Sequence, residues 1–249
     1  MEKRIQREKI FHNERFENNT RKHLDKYYSI SNNSRALYLN FIESDIECKT
    51  ILEYGCGEGS FSFEIAQLGA KVFGIDISEI AITKSKAKAE DEGLSDRMKF
   101  SVMNAEELTF GNDFFDRICG LAILHHLNLE KSLKELARVM KPDGDGVFLE
   151  PLGHNPFINL YRSLTKKLRT EDEHPLLMSD LELFYKYFSS VEIYHFHLTS
   201  LLTVPFRNLK NFSSIVNLFD KIDKVLFRIP FLRKNAWQIV IKLSKPNKV

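Results

Sequence analysis

Thr50-Ile51-Leu52-Glu53-Tyr54-Gly55-Cys56-Gly57-Glu58-Gly59 runs a short apolar strand into three alternating glycines. Glycines so spaced let the chain turn tightly and let a ligand approach the backbone with no Cβ in the way. Glu53, at the end of the strand, sets the sign of that ligand: a carboxylate suits a cation and opposes a phosphate. A dinucleotide loop reads G-x-G-x-x-G and holds a pyrophosphate at a helix N-terminus. Here Gly55, Gly57 and Gly59 read G-x-G-x-G, and Ser60 stands where that pattern wants its last glycine.

The chain then repeats the strand-and-polar-end pattern. Ala70-Lys71-Val72-Phe73-Gly74-Ile75-Asp76 reads as a second buried strand. Its Asp76 lies about 20 residues past the loop, the spacing at which an acid reaches ribose hydroxyls in a βαβ unit. Met98 to Met103 reads as a third strand ahead of Asn104-Ala105-Glu106. A fourth is Phe115-Asp116-Arg117-Ile118-Cys119-Gly120-Leu121, followed by Leu124-His125-His126-Leu127, and Lys141-Pro142-Asp143-Gly144 turns into a fifth.

In this order and spacing the five segments, from Ile51 to Glu150, resemble the class I S-adenosylmethionine-dependent methyltransferases. The E-x-G-x-G-x-G stretch resembles their motif I, and Asn104-Ala105-Glu106 looks like their adenine-binding turn. The F-D-x-I strand ending in L-H-H-L and the L-K-P-G-G turn are also similar, with Asp143 where the family usually has glycine. The resemblance is to the small-molecule, quinone-biosynthesis-like (type 11) group. It implies S-adenosylmethionine as cofactor, its methionine end against Glu53, Gly55, Gly57, Gly120 and Leu121. Asp76 takes the ribose, Ile77 and Met103 sandwich the adenine, Asn104 meets its exocyclic amine and the Ala105 N–H a ring nitrogen. The implied fold is α/β: a Rossmann-like, seven-stranded, mostly parallel sheet with an antiparallel final hairpin, helices on both faces, N-terminal helices and a helical lid in the C-terminal half.

Composition agrees with one globular domain over residues 1–249: 43% of residues are apolar and the formal net charge is +2. That charge, with no long Lys/Arg run, argues against nucleic acid as a partner. No apolar run approaches the roughly 20 residues of a spanning helix, and the charged N-terminus lacks a secretory core, so a cytoplasmic location is expected. Three cysteines need no pairing there.

Residues 1–45 read as an N-terminal helical cover with apolar spacing at Phe11, Phe16, Leu24, Tyr27 and Tyr28, and again at Leu37, Phe41 and Ile42. Residues 46–150 are the cofactor core, where alternating strands and helices demand right-handed crossovers and a parallel sheet. Residues 151–235 are a substrate and lid region holding the sixth strand, Val191 to Leu198. Residues 236–249 are the final strand and tail. Between the last two strands, Leu209, Phe212, Val216, Phe219, Ile222 and Leu226 fall at helical spacing. That helix, Leu209 to Leu226, is expected as a lid beside Tyr27 and Tyr28. A dimer contact or a weak membrane contact is the alternative, the latter disfavoured because Asp220 and Asp223 offset Lys210, Lys221 and Lys224.

Methyl transfer from a sulfonium needs alignment, exclusion of water and, for a weak nucleophile, one base. His125 and His126 stand just past the fourth strand, with the free imidazole pKa of about 6.5 suited to that work. Only one of two adjacent residues faces the cleft, and His125 is expected there. Glu150, ending the fifth strand, and His154 are the other acid/base candidates, with Asp172, Glu173 and His174 nearby in sequence. No tight ligand spacing such as H-x-x-x-H or C-x-x-C appears, so no metal is expected. The D/N-P-P-Y/F tetrad of nucleobase-amine methyltransferases is replaced by Leu121-Ala122-Ile123-Leu124, and a K-D-K-E set is missing. A small molecule with a hydroxyl or amine on an apolar or aromatic body is the expected acceptor. The alternatives are a non-catalytic cofactor-binding protein and a methyltransferase with a lipid-like or macromolecular acceptor.

Overall fold

The computed structural model describes residues 3–18, 28–59, 61–165, 169–170 and 172–248. Leu24 and Tyr27 of the expected N-terminal helices lie outside them. Five strands alternate with helices in the first part of the chain: β1 (Thr50–Tyr54), α3 (Ser62–Gln67), β2 (Lys71–Asp76), α4 (Glu79–Asp91), β3 (Met98–Val102), β4 (Phe115–Leu121), α5 (Leu129–Val139) and β5 (Met140–Pro151). Ahead of them lie α1 (Lys3–Asn18) and α2 (Asn32–Glu43). After them come α6 (Pro156–Leu164), α7 (Leu181–Tyr187), β6 (Phe188–Phe196), α8 (Phe212–Leu226), α9 (Pro230–Arg233) and β7 (Gln238–Pro246).

The seven strands form one sheet in the order β3-β2-β1-β4-β5-β7-β6, with β7 antiparallel to both neighbours and the β1–β5 pairings parallel. Strands packed on both faces must be apolar throughout, and Ile51, Leu52, Ile118, Cys119, Val147 and Phe148 are all buried. Helix starts are marked by side chains that take up otherwise unpaired N–H groups: Ser78 Oγ accepts the Ala81 N–H and Asn128 Oδ1 the Lys131 N–H. Arg117, read in sequence only as part of a motif, is buried; its Nη2 donates to Asp145 Oδ2 at 2.7 Å and its Nη1 to the Ile42 carbonyl at 2.8 Å, fastening α2 beneath the sheet.

Chain order reverses between β1 and β4, so their carboxyl ends part and leave a crevice there. Glu53 pairs in register with Cys119, which puts the glycine loop and the segment after β4 at the two lips.

The C-terminal helix corrects the expected pattern. On α8 the buried residues are Val216, Asp220 and Asp223, while Leu218, Ile222 and Val225 are exposed. Asp223 turns inward because it accepts the Leu198, Thr199 and Ser200 N–H groups at 3.0, 2.7 and 3.2 Å, closing the turn after β6. The helix packs on that turn and on β6.

Candidate active site

A cavity opens at the crevice, lined by Glu53, Gly55, Gly57, Asp76, Ile77, Met103, Asn104, Ala105 and Leu121 of the core. Nine of the ten residues expected from sequence to hold the cofactor thus share one space; Gly120 sits just behind it on β4, where a Cβ would meet Phe148 Cδ1 at 2.8 Å.

The loop geometry follows from its residues. Gly55 and Gly57 have φ of 73° and 54°, a region that side chains with a Cβ rarely enter. Asp76 Oδ2 accepts the Gly57 N–H and its Oδ1 the Ser78 N–H, each at 2.8 Å, so one carboxylate joins the loop to the end of β2. Glu53 is buried and does a second job: Oε1 accepts the Phe61 N–H at 3.1 Å and Oε2 the Ser62 N–H at 3.0 Å, at the start of α3. Burial pushes its carboxyl up to about 7, against the opposing pull of those donors and the Ser62 hydroxyl. Asn104 Oδ1 accepts the Glu106 N–H at 3.0 Å, and the Tyr54 hydroxyl donates to the Ala105 carbonyl, which holds the turn after β3 against β1.

The two histidines take the reverse of the expected places. His126 lines the cavity. His125 is held away from it, Nδ1 2.7 Å from Glu150 Oε2 and Nε2 3.9 Å from Glu173 Oε1. Glu150 is fully buried rather than open to an acceptor, because its other oxygen accepts the Ile123 and Leu124 N–H groups at 2.9 and 2.8 Å. His154 is also spent elsewhere: its Nε2 accepts the Met178 N–H at 3.1 Å. His125 and Glu150 brace the segment that carries His126. Glu173 takes Arg162 at 2.9 Å, and Asp172 takes both Nε and Nη2 of Arg7, at 2.8 and 2.7 Å.

The roof is α1. Arg4, Ile5, Glu8, His12, Arg15 and Phe16 line the cavity; of these only Phe16 belongs to the apolar stripe expected of the N-terminal cover. Glu8 Oε2 lies 3.3 Å from His126 Nδ1 and 3.4 Å from His12 Nε2, while Thr170 Oγ donates to Glu8 Oε1. Burial alone would raise the Glu8 carboxyl, but the imidazoles and the hydroxyl hold it well below the usual carboxylate range. Arg4 donates from Nη1 to the His126 carbonyl at 2.8 Å and pairs with Glu106. The signal was present: Arg4, Glu8, His12 and Phe16 recur every fourth residue, one stripe of an α-helix. The lid expected from Leu209 to Leu226 is therefore this N-terminal helix; no residue of α8 lines the cavity.

Residues 51–144 match a family model described as a methyltransferase domain. This stretch is a class I S-adenosylmethionine-dependent methyltransferase domain. It is 29% identical over 117 residues to sterol 4-C-methyltransferase strm-1 of Caenorhabditis elegans, covering 47% of this chain and 34% of that protein. It is 35% identical over 115 residues to the ubiquinone biosynthesis O-methyltransferase of Nitrosococcus oceani, covering 45% and 48%. The chain thus spans at most about half the length of these curated relatives. The whole fold is similar to phosphoethanolamine N-methyltransferase 2 of Haemonchus contortus in complex with S-adenosyl-L-methionine, at a TM-score of 0.63 and 18% identity over 92% of this chain and 58% of that one. The cofactor of this domain is S-adenosylmethionine. The cavity fits that group: Gly55 and Gly57 at positive φ line one wall, an anchored aspartate stands at the end of β2, and no basic side chain stands on the loop to suit a phosphate. No helix among the described residues is long and apolar enough to cross a membrane.

Proposed function

We propose that the chain methylates a hydroxyl or amine of a small molecule with an apolar body, His126 taking the acceptor's proton and Glu8 orienting its imidazole. When bound, S-adenosylmethionine supplies an electrophilic methyl group on a cationic sulfur. Asp76 would hold its ribose, Asn104 and Ala105 the adenine edge, Ile77 and Met103 the adenine faces, and Gly55 and Gly57 its amino-acid end. Glu53 would serve that end by charge, since its oxygens are engaged with α3.

The observation that carries the reading is the meeting of Glu8 and His126 at the cavity wall. A carboxylate facing one imidazole nitrogen favours its N–H tautomer there and leaves the other nitrogen to take a proton, the arrangement of a general base with its orienting acid. Ile5, Phe16, Leu121, Ile123 and Leu127 give the space an apolar share of lining beside Arg4, His12, Arg15 and Glu106. An apolar acceptor body agrees with relatives named for sterols and ubiquinone.

The test is His126→Asn. Turnover, read as S-adenosylhomocysteine released over a panel of phenolic and alicyclic alcohols, should fall about a hundredfold or more while S-adenosylhomocysteine affinity stays within about threefold. Undiminished turnover in that variant would remove His126 as base and leave alignment alone as the source of rate.

A further inference from the structure

From Ile193 to the last residue the sequence has only two acids, Asp220 and Asp223. Counted along the sequence, those acids balance the lysines of the C-terminal helix; in the fold they do not. Both are buried: Asp223 on the turn after β6, and Asp220 against Asn33 and His197. Their charge is taken inward, to backbone N–H groups and an imidazole. What is left outside is one-signed: Arg207, Lys210, Lys221, Lys224, Arg228 and Arg233 are all exposed, with no exposed carboxylate in the segment to screen them.

The apolar residues do the opposite of what a soluble surface helix does. Leu218, Ile222 and Val225 recur at helical spacing on the outer side of α8, and Ile229 continues the stripe. Exposure reaches 57% at Leu218, 59% at Val225 and 68% at Phe231, beyond what isolated surface hydrophobics require. The turns at either end of α8 extend the apolar character with Phe206, Leu209 and Phe231. Beneath, Val216 packs with Leu201, Val204, Trp237 and Ile158 in a separate small core, so α6 adjoins this region, and it too exposes Phe157, Leu160 and Leu164.

We propose that this face, residues 202–234 with the outer side of α6, docks the protein on an anionic lipid surface. Apolar side chains projecting between cations are what the headgroup boundary accepts: the former enter the acyl margin and the latter meet phosphates. Inward-turned aspartates remove the repulsion that acids on the helix would otherwise give. The alternative occupant, a second copy of the same face, would set this one-signed charge against itself. The inference rests on residues 202–234 and α6, none of which lines the cavity, and stands or falls independently of the chemistry assigned to the cleft.

The experiment is flotation of the intact, tag-free protein with large unilamellar vesicles of phosphatidylcholine alone or with about a third phosphatidylglycerol. Binding to the anionic vesicles, reduced at high salt and at least tenfold weaker on pure phosphatidylcholine, is expected. Each cation near the surface contributes on the order of fivefold, so the triple variant Lys221→Glu, Lys224→Glu, Arg228→Glu should lower partitioning by about a hundredfold or more. Leu218→Ser with Val225→Ser should weaken it without altering charge, and both variants should keep the wild-type melting temperature to within a few degrees. Failure of the folded wild type to float with anionic vesicles, equal binding by the triple variant, or a light-scattering dimer that the serine variant dissociates would each overturn the proposal.

Discussion

Glu8 Oε2 stands 3.3 Å from His126 Nδ1, joining the second turn of α1 to the segment just past β4. The catalytic imidazole of the proposed site is therefore oriented from the roof of the cavity, not from its floor.

Replacing the carboxylate while keeping its shape separates orientation from packing. Glu8→Gln should lower turnover on the order of tenfold, the loss of about one charge-assisted contact, with the far-ultraviolet spectrum unchanged. Steady-state kinetics beside the wild type decide it: an unaltered kcat would detach Glu8 from the chemistry.

Arg4 is the latch of that roof. It holds the His126 carbonyl and pairs with Glu106, whose Oε1 also accepts the Asn128 N–H at 2.7 Å. Arg4→Ala should loosen α1, raising its tryptic cleavage rate in the absence of cofactor and weakening S-adenosylhomocysteine binding by roughly fivefold to tenfold, about 1 kcal/mol. Cleavage and affinity equal to wild type would mean that α1 docks without the latch.

Glu150→Ala removes the acceptor for two buried N–H groups and the partner of His125 at once. Leaving such donors unpaired costs about 1–3 kcal/mol each, so stability should drop by roughly 2–5 kcal/mol, readable as a lower urea midpoint. A drop under about 1 kcal/mol would show that the group does not hold this wall.

The strands, their order and the residues that share the cavity wall were legible because their chemistry is local. Apolar runs ending in Glu53, Asp76 and Asn104, and glycines that must adopt positive φ, write their position into a few adjacent residues. The placement of His125 and His126 was not legible: it depends on Glu150, which meets the segment after β4 only once the sheet is formed. Glu8 and His12 were hidden for a related reason, since a helical stripe tells which residues share a face but not what lies opposite. The outward stripe of α8 misled because Asp220 and Asp223 count as solvent charges until their inward partners are known.

Glu53 gives a pH signature of its own. Its folded pKa is raised to about 7 from an ordinary 4.5, so the stability it allows is fully present below about 4.5 and is lost as pH rises through 7, where the folded state must finally ionise a buried group. In Glu53→Gln this decline should vanish, and the melting-temperature difference between wild type and variant should shift against the wild type from pH 5 to pH 7.5. A difference constant across that window would contradict the raised value.

The most direct measurement is calorimetric titration of S-adenosylhomocysteine into wild type and Asp76→Ala. One site per chain is expected, with affinity in the variant weaker by about thirtyfold or more, because ribose contacts and the Gly57 tether are lost together, about 2 kcal/mol or more. Equal affinity in the two proteins, or no binding to the wild type, would contradict the assignment of this cleft to S-adenosylmethionine.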